Sequence, residues 1–510
     1  MTGSLPQQQR HDHFSTRSIH VGSEPDPSTG AVVPSLSVAT TFKQDGIGKM
    51  RGYDYSRSGN PTRSALEELL TSLETSPSGA VSQDSRSDAS IGESLVFASG
   101  SAATAAVAHW VTLSAKEGGA GGKDGSIGGG GHILSVNDVY GGTARYLART
   151  ARPTGLEVTF LDFEKAGKDG IREAIRPDTR LIWLEIPTNP LLLVPPLRLI
   201  RDVVHSLPAA TRPLILIDTT FLSSFYITPL LSDGDNNSPP LADIAYSSLS
   251  KYSGGHSDII LGSLTVSPLT ASLRPNLLKG LRFLQNSLGA SPSPRDCHLL
   301  IRSLKTLSVR MIKHGLNALR VAAWLNDHPA VERVRYPGLK TDGAFREISH
   351  LISPNAKREL EFLGWLFPAS GTSDLSSNGD TTTSTTNGHS ENGSAIQDQT
   401  HNLNSLAYVR TLGIPFGGVI TFAIKDASAE GAERFCTTLR IATLAESLGG
   451  VESLVEVPYG MTHSHLPQET LSTLGITPNL IRLSVGIEDY DDIVDDLQRG
   501  LAAVAATEKV

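Results

Sequence analysis

The sequence predicts an α/β protein, with a large domain built on a mostly parallel β-sheet and a smaller α+β domain after it. Three observations point there. Short apolar runs of five to eight residues recur between 94 and 266. Helix-like stretches separate most of them, as in parallel strands joined by crossover helices and covered on both faces. After a long helical stretch near 295–327, the pattern resumes as a second, smaller block of strands and helices.

In chain order, the candidate strands of the first block are SLVFA (94–98), HILSV (132–136), EVTFL (157–161), RLIWLE (180–185), LILID (214–218), DIAYS (243–247) and IILGSLTV (259–266). Candidate helices fill 101–115, 142–151, 168–175 and 196–206. The second block reads VERVRY (331–336), GGVITFAI (417–424), a helix near 428–439, IRLSVGI (481–487) and a last helix near 489–506. Three stretches, Ser76–Glu93, Lys116–Gly131 and 370–405, are rich in Ser, Gly, Asp and Thr. They hold too few apolar residues to offset ordering entropy and read as mobile insertions.

Composition narrows the function classes. A chain of 510 residues exceeds one compact core. With 39% hydrophobic and 19% charged residues it is globular in composition. A formal net charge of −8 excludes a general nucleic-acid or membrane-surface binder, which needs a basic face. Two cysteines, Cys297 and Cys436, exclude a disulfide scaffold and suit a reducing compartment. The polar opening MTGSLPQQQRHDHF and the lack of any 18-residue apolar run point to a cytoplasmic protein.

The chemistry lies where the strands end. SLVFA runs into Ser99-Gly100-Ser101 and an Ala-rich helix, a start that suits an anion. RLIWLE runs into Pro187-Thr188-Asn189, and LILID ends on Asp218 before Thr219-Thr220. DIAYS leads to Ser248, Ser250 and Lys251. In parallel sheets ligands bind beyond the carboxyl ends of the strands, so one amine, one carboxylate, several hydroxyls and a helix N-terminus converge on one rim. That set suits pyridoxal phosphate: a lysine for the aldehyde, a carboxylate for the ring nitrogen, and hydroxyls with N–H groups for the phosphate. Other motifs fail. GGAGGKD (118–124) lacks the first glycine and the final Ser/Thr of a P-loop, since Glu117 and Asp124 stand there. Ser248-Leu249-Ser250-Lys251 matches S-x-x-K, but the partner triplets SDN and KTG are absent. His11/His13 and His463/His465 have too few partners for a metal cage, and no metal is expected.

Longer strings carry a resemblance: YDYSRSGNPTR (53–63), DVYGGTARY (138–146), EIPTNP (185–190), KYSGGHSD (251–258), RFLQNSLGASPSPRDC (282–297), SLKTLSVRM (303–311), TLAESLGGVESL (443–454) and IRLSVGIED (481–489). Across nearly the whole chain, insertions apart, the sequence resembles the trans-sulfuration group of the Cys/Met-metabolism family of pyridoxal-phosphate enzymes. Within it, the chain looks most like the cystathionine γ-lyases. The resemblance implies the aspartate-aminotransferase-like fold (fold type I). It implies an N-terminal arm over 1–73 that reaches a neighbouring active site, a cofactor-binding domain over 74–290, and a C-terminal domain over 291–510 carrying the insertion 370–405.

The resemblance also implies roles, matched motif by motif. Lys251 matches the Schiff-base lysine. Ser248 and Ser250 match the phosphate-binding pair before it, the second more often threonine. Gly100 and Ser101 match the phosphate loop, Asp218 the partner of the pyridine nitrogen, and Thr220 its neighbour. Tyr140 matches the tyrosine stacked on the ring and exchanging protons. Tyr55 and Arg57 match a pair that reaches the phosphate in a neighbouring subunit, which implies a homotetramer. Asn189, Ser447 and Arg482 match the holders of the substrate carboxylate. Arg145 matches an arginine near the substrate's distal end, Glu446 a glutamate characteristic of the γ-acting members, and Asp54 a position often held by glutamate; all three count as substrate-binding. The implied reaction is γ-elimination of cystathionine to cysteine, 2-oxobutanoate and ammonia. A γ-synthase or other γ-substituting member, a β-lyase, and an inactive scaffold of the same fold are the alternatives. In VPYGMTH (457–463), Tyr459-Gly460 departs from the small or apolar residues usual there.

Overall fold

The computed structural model describes residues 12–76, 92–118, 130–231, 238–367, 403–464 and 467–505. Seven strands make the first sheet: β1 (Glu93–Phe97), β2 (His132–Val136), β3 (Glu157–Leu161), β4 (Thr179–Glu185), β5 (Leu214–Asp218), β6 (Ile244–Ser248) and β7 (Gly262–Val266). Their order is β1-β7-β6-β5-β4-β2-β3. The pairs β2/β3, β2/β4, β4/β5 and β5/β6 are parallel, whereas β7 is antiparallel to both neighbours. The sheet is thus mostly parallel, as predicted.

The strand register explains why the rim holds the chemistry. Glu185 pairs with Asp218, and Asp218 with Tyr246, at the carboxyl ends of β4, β5 and β6. The β4 and β5 side chains are almost wholly buried, since helices cover both faces. β3, in contrast, lies at the sheet edge, and Phe160 is exposed there. The run IILGSLTV forms a strand only from Gly262. A Cβ on that glycine would meet the Ser99 carbonyl oxygen at 2.5 Å, so β7 can pass close to the start of the neighbouring helix.

The second sheet contains β8 (Val331–Arg335), β9 (Val419–Ile424), β10 (Thr443–Leu444), β11 (Leu454–Glu456) and β12 (Leu480–Ser484), in the order β10-β11-β12-β9-β8. β10 and β11 are too short to show a period in the sequence. Asp496 anchors this edge: its buried carboxylate accepts the N–H groups of Arg440, Ile441 and Ala442 at 2.7, 2.7 and 3.1 Å. The helical stretch near 295–327 is two helices, Pro294–Leu304 and Leu307–Asn326. The stretch 142–151 is one α-turn, Gly141–Arg145, continued as a π-helix over Tyr146–Ala151.

The helix Pro61–Thr75 escaped the apolar pattern, although its start is marked. Asn60 accepts from the N–H groups of Thr62 and Arg63, and Pro61 occupies the first turn. This helix runs through residues 73 and 74 and packs against β1. The insertion boundaries also tighten. Glu93 belongs to β1 and pairs with Arg282, and Lys116 and Gly118 belong to the helix Gly100–Gly118. Leu403 is buried, with its carbonyl held by Arg320 at 2.7 Å. The remaining insertion residues, 77–91, 119–129 and 370–402, lie outside the described residues, as do His11 and His465.

Candidate active site

A cavity of about 600 Å³ opens at the carboxyl rim of the first sheet, closed on one side by the segment between β10 and β12. Its lining includes Gly100, Ser101, Tyr140, Asn189, Asp218, Thr220, Ser248, Ser250, Lys251, Glu446, Ser447 and Arg482. The structure thus brings together twelve of the predicted site residues. Asp54, Tyr55, Arg57 and Arg145 are exposed and do not line it among the described residues. Tyr55 lies on an arm that bridges back to Thr41, with the Arg57 guanidinium over its ring at 5.6 Å.

The anion end is the start of the helix Gly100–Gly118. Ser99 Oγ accepts the Ala102 N–H at 3.0 Å, so the helix opens directly beside the cavity. Gly100 is required by contact: a Cβ there would lie 2.6 Å from Tyr246 Oη and 3.5 Å from Ser248 Oγ. Ser250 also lines the cavity, but its hydroxyl accepts the Leu261 N–H at 3.0 Å and anchors the following strand.

The acid end is Asp218. Its Oδ1 accepts from Thr220 N at 2.9 Å and Thr220 Oγ1 at 2.5 Å, and Thr220 Oγ1 in turn accepts the Ser248 N–H at 2.9 Å. Burial pushes the Asp218 carboxyl up to about 7, against the lowering effect of the Thr220 hydrogen bonds. Glu185 beside it is raised well above the usual carboxylate range, first by burial and then by Asp218. Its Oε2 accepts the Tyr140 N–H at 2.8 Å, fixing the base of a residue that is 43% exposed. Burial raises the Tyr140 phenol, while Arg145 draws it down.

Lys251 Nζ donates to Ser447 Oγ at 2.7 Å. Burial, and then the nearby Arg482 guanidinium, lower its ammonium to about 8. Ser447 has a φ of 104°, a left-handed conformation that costs a non-glycine residue roughly 1–3 kcal/mol. That turn aims its hydroxyl at Lys251 and its carbonyl at Arg482 Nη2, which donates at 2.8 Å. Arg482 Nη1 donates to Asn189 Oδ1 at 3.0 Å and pairs with Glu456 Oε1 at 3.0 Å.

With this geometry established, the chain can be set beside known proteins. It matches the family described as Cys/Met metabolism PLP-dependent enzyme over residues 15–353 and 401–502. The chain belongs to this family. Cystathionine gamma-lyase from Sus scrofa is 37% identical over 506 residues, covering 99% of this chain and 96% of that protein. The enzyme of that name from Mus musculus is 37% identical over 504 residues, covering 99% and 98%. Among solved structures, cystathionine gamma-lyase from yeast superposes with a TM-score of 0.71 at 33% identity, covering 98% of this chain and 100% of that one. The Corynebacterium glutamicum metB structure gives 0.69 at 29% identity, covering 97% and 99%. The fold is the type I fold of pyridoxal-phosphate enzymes, and pyridoxal phosphate is the family's cofactor.

The residues present fit that cofactor. A helix N-terminus over a glycine cradle suits a phosphate. A buried carboxylate stands where a cationic ring nitrogen would balance it, and an amine with a lowered pKa suits bond formation with an aldehyde. Sequence reasoning missed Glu185, Tyr246 and Glu456. Each is a polar side chain inside or closing an apolar strand, and that placement was the available signal. No group of three or more His, Cys, Asp or Glu residues suited to a metal occurs among the described residues.

Proposed function

We propose that this chain is a carbon–sulfur lyase that splits L-cystathionine by γ-elimination. With one water, the products are L-cysteine, 2-oxobutanoate and ammonia. The observation that carries the reading is the meeting of Lys251, Asp218 and Arg482 in one cavity, and similarity to named gamma-lyases supports the substrate. Gly100, Ser101, Ser248 and Ser250 would hold the cofactor phosphate. Asp218, kept in place by Thr220, would balance the ring nitrogen, and Tyr140 would lie against the ring. When bound, pyridoxal phosphate supplies the electron sink that makes the substrate's Cα–H acidic.

The chain's own side chains do the rest. Arg482, Asn189 and the Ser447 segment bind the α-carboxylate and fix the Cα–H bond toward Lys251. Lys251 Nζ, with its pKa near 8, takes the Cα proton, gives it back to the bound adduct, and as a free amine again takes a Cβ proton. The Tyr140 phenol, whose pKa is raised by burial, stays protonated and gives its proton to the departing sulfur. Glu446 in the cavity, and Arg145 near Tyr140, recognise the distal end of the substrate, and Asp54 contributes from the arm of a neighbouring copy.

The arm before residue 58 exposes Val32, Val33, Val38, Ile47 and Met50. A second copy of the chain covers these side chains and receives Tyr55 and Arg57, within a homotetramer. Residues 1–73, 74–290 and 291–510 act as arm, cofactor domain and C-terminal domain. Among the described residues no helix is long and apolar enough to cross a membrane, in keeping with work in the cytoplasm. The deciding experiment supplies cystathionine alone. 2-Oxobutanoate as main product supports the reading, and pyruvate refutes it. Turnover that needs an added thiol or other nucleophile assigns γ-substitution, and a colourless protein inert with added cofactor assigns a scaffold.

A further inference from the structure

Glu456 sits inside the apolar run SLVEV, yet it is 1% exposed and lies directly opposite Arg482 in the antiparallel β11/β12 pair. Its Oε1 accepts from Thr462 Oγ1 at 2.9 Å and is ion-paired with Arg482 Nη1 at 3.0 Å. Its Oε2 is buried and has no hydrogen-bond partner among the described residues. Thr462 lines the cavity and belongs to the segment that departs from the family pattern, whereas Glu456 does not line it.

The donors of Arg482 can be counted. A guanidinium carries five N–H bonds. Nη1 donates to Asn189 and faces Glu456 as an ion pair, and Nη2 donates to the Ser447 carbonyl. With Nη1 turned to those two partners, the second Nη2 N–H and the Nε–H are left for a ligand. A carboxylate is gripped best by two such donors in one plane. Glu456 therefore does not compete for the donors a ligand needs, and it holds the plane in which they lie. It also balances a guanidinium charge that would otherwise sit buried and alone.

We propose that Glu456 is a positioning residue for substrate recognition, holding Arg482 in its carboxylate-binding orientation and tying it to the cavity wall through Thr462. This rests on reading Arg482 as the carboxylate clamp. Because Glu456 does not line the cavity and Asn189 and the Ser447 carbonyl still hold Arg482, its loss falls mainly on binding.

The test uses the full-length holoenzyme and two readouts: steady-state turnover of cystathionine, and calorimetric binding of propanoate, with propylamine as the carboxylate-free control. Glu456→Ala raises KM and weakens propanoate at least about tenfold, keeps kcat within about threefold, and leaves propylamine unchanged. Glu456→Gln retains an acceptor oxygen and recovers most of the loss. Equal weakening of propanoate and propylamine, or a fall in kcat alone, overturns the proposal. If Glu456→Ala does not fold, Thr462→Val decides. A raised KM with kcat kept supports the relay, and unchanged kinetics overturn it. Arg482→Lys separates the two levels. Wild-type propanoate affinity there refutes the clamp itself, whereas loss there without loss in Glu456→Ala refutes only the positioning role.

Discussion

Replacing Arg482 by lysine keeps the charge and removes the fork. Lysine offers three donors in place of five. Arg482 donates to Asn189 and the Ser447 carbonyl and holds Glu456 in an ion pair, so three partners already face it. A lysine that satisfied those partners would have none left for a ligand carboxylate. One that turned to the ligand would leave Glu456, 1% exposed, without its ion pair. Either way two charge-assisted hydrogen bonds are lost. At about 1.5–3 kcal/mol each, the loss is about 3–6 kcal/mol. With about 1.4 kcal/mol per factor of ten, kcat/KM for cystathionine falls roughly 10²- to 10⁴-fold. The assay is steady-state release of 2-oxobutanoate, with circular dichroism to show that the variant is folded. A folded variant whose kcat/KM stays within about tenfold of wild type refutes the donor count.

Three further predictions follow from the same site. In the cofactor-free chain, the rate of recombination with pyridoxal phosphate should rise with pH through about 8, where Lys251 loses its proton; a rise centred near the ordinary 10.5 contradicts the burial argument. Asp218 is raised from 3.8 to about 7 in the folded chain. Between those values the unfolded chain has released the proton that the folded chain keeps, so the Asp218 contribution to stability is lost as pH rises from about 4 to 7. Melting of the cofactor-free chain should show that loss and Asp218→Asn should remove it; parallel pH profiles for the two proteins contradict it. Gly100→Ala places a Cβ 2.6 Å from Tyr246 Oη, and overpacking of about 1–3 kcal/mol should weaken cofactor binding roughly 5- to 150-fold. Equilibrium titration by absorbance checks this, and unchanged affinity refutes the cradle.

The sequence was most legible where backbone and chemistry coincide. β2, β5 and the ends of β4 and β6 were readable because buried parallel strands are apolar throughout and stop abruptly. Asp218, Ser248 and Lys251 follow those stops directly. The carboxylate side was read differently. Asn189 lies 258 residues before Ser447 and 293 before Arg482, and only the family resemblance joined them. Their hydrogen bonds depend on two sheets meeting, which no local period encodes. Glu456 and Glu185 were missed for the same reason, since a lone acid in an apolar strand gains meaning only from the strand opposite. The exposed arm carrying Tyr55 is a third case, because its apolar side chains have no core of their own chain to pattern against.

The account depends on Lys251 being the residue that holds the cofactor. Borohydride reduction of the yellow holoenzyme, followed by peptide mapping, tests this directly. A pyridoxyl group on the peptide containing Lys251, absent from Lys251→Ala, is the predicted result. A pyridoxyl group on a different lysine, or none on a protein that turns over cystathionine, contradicts it.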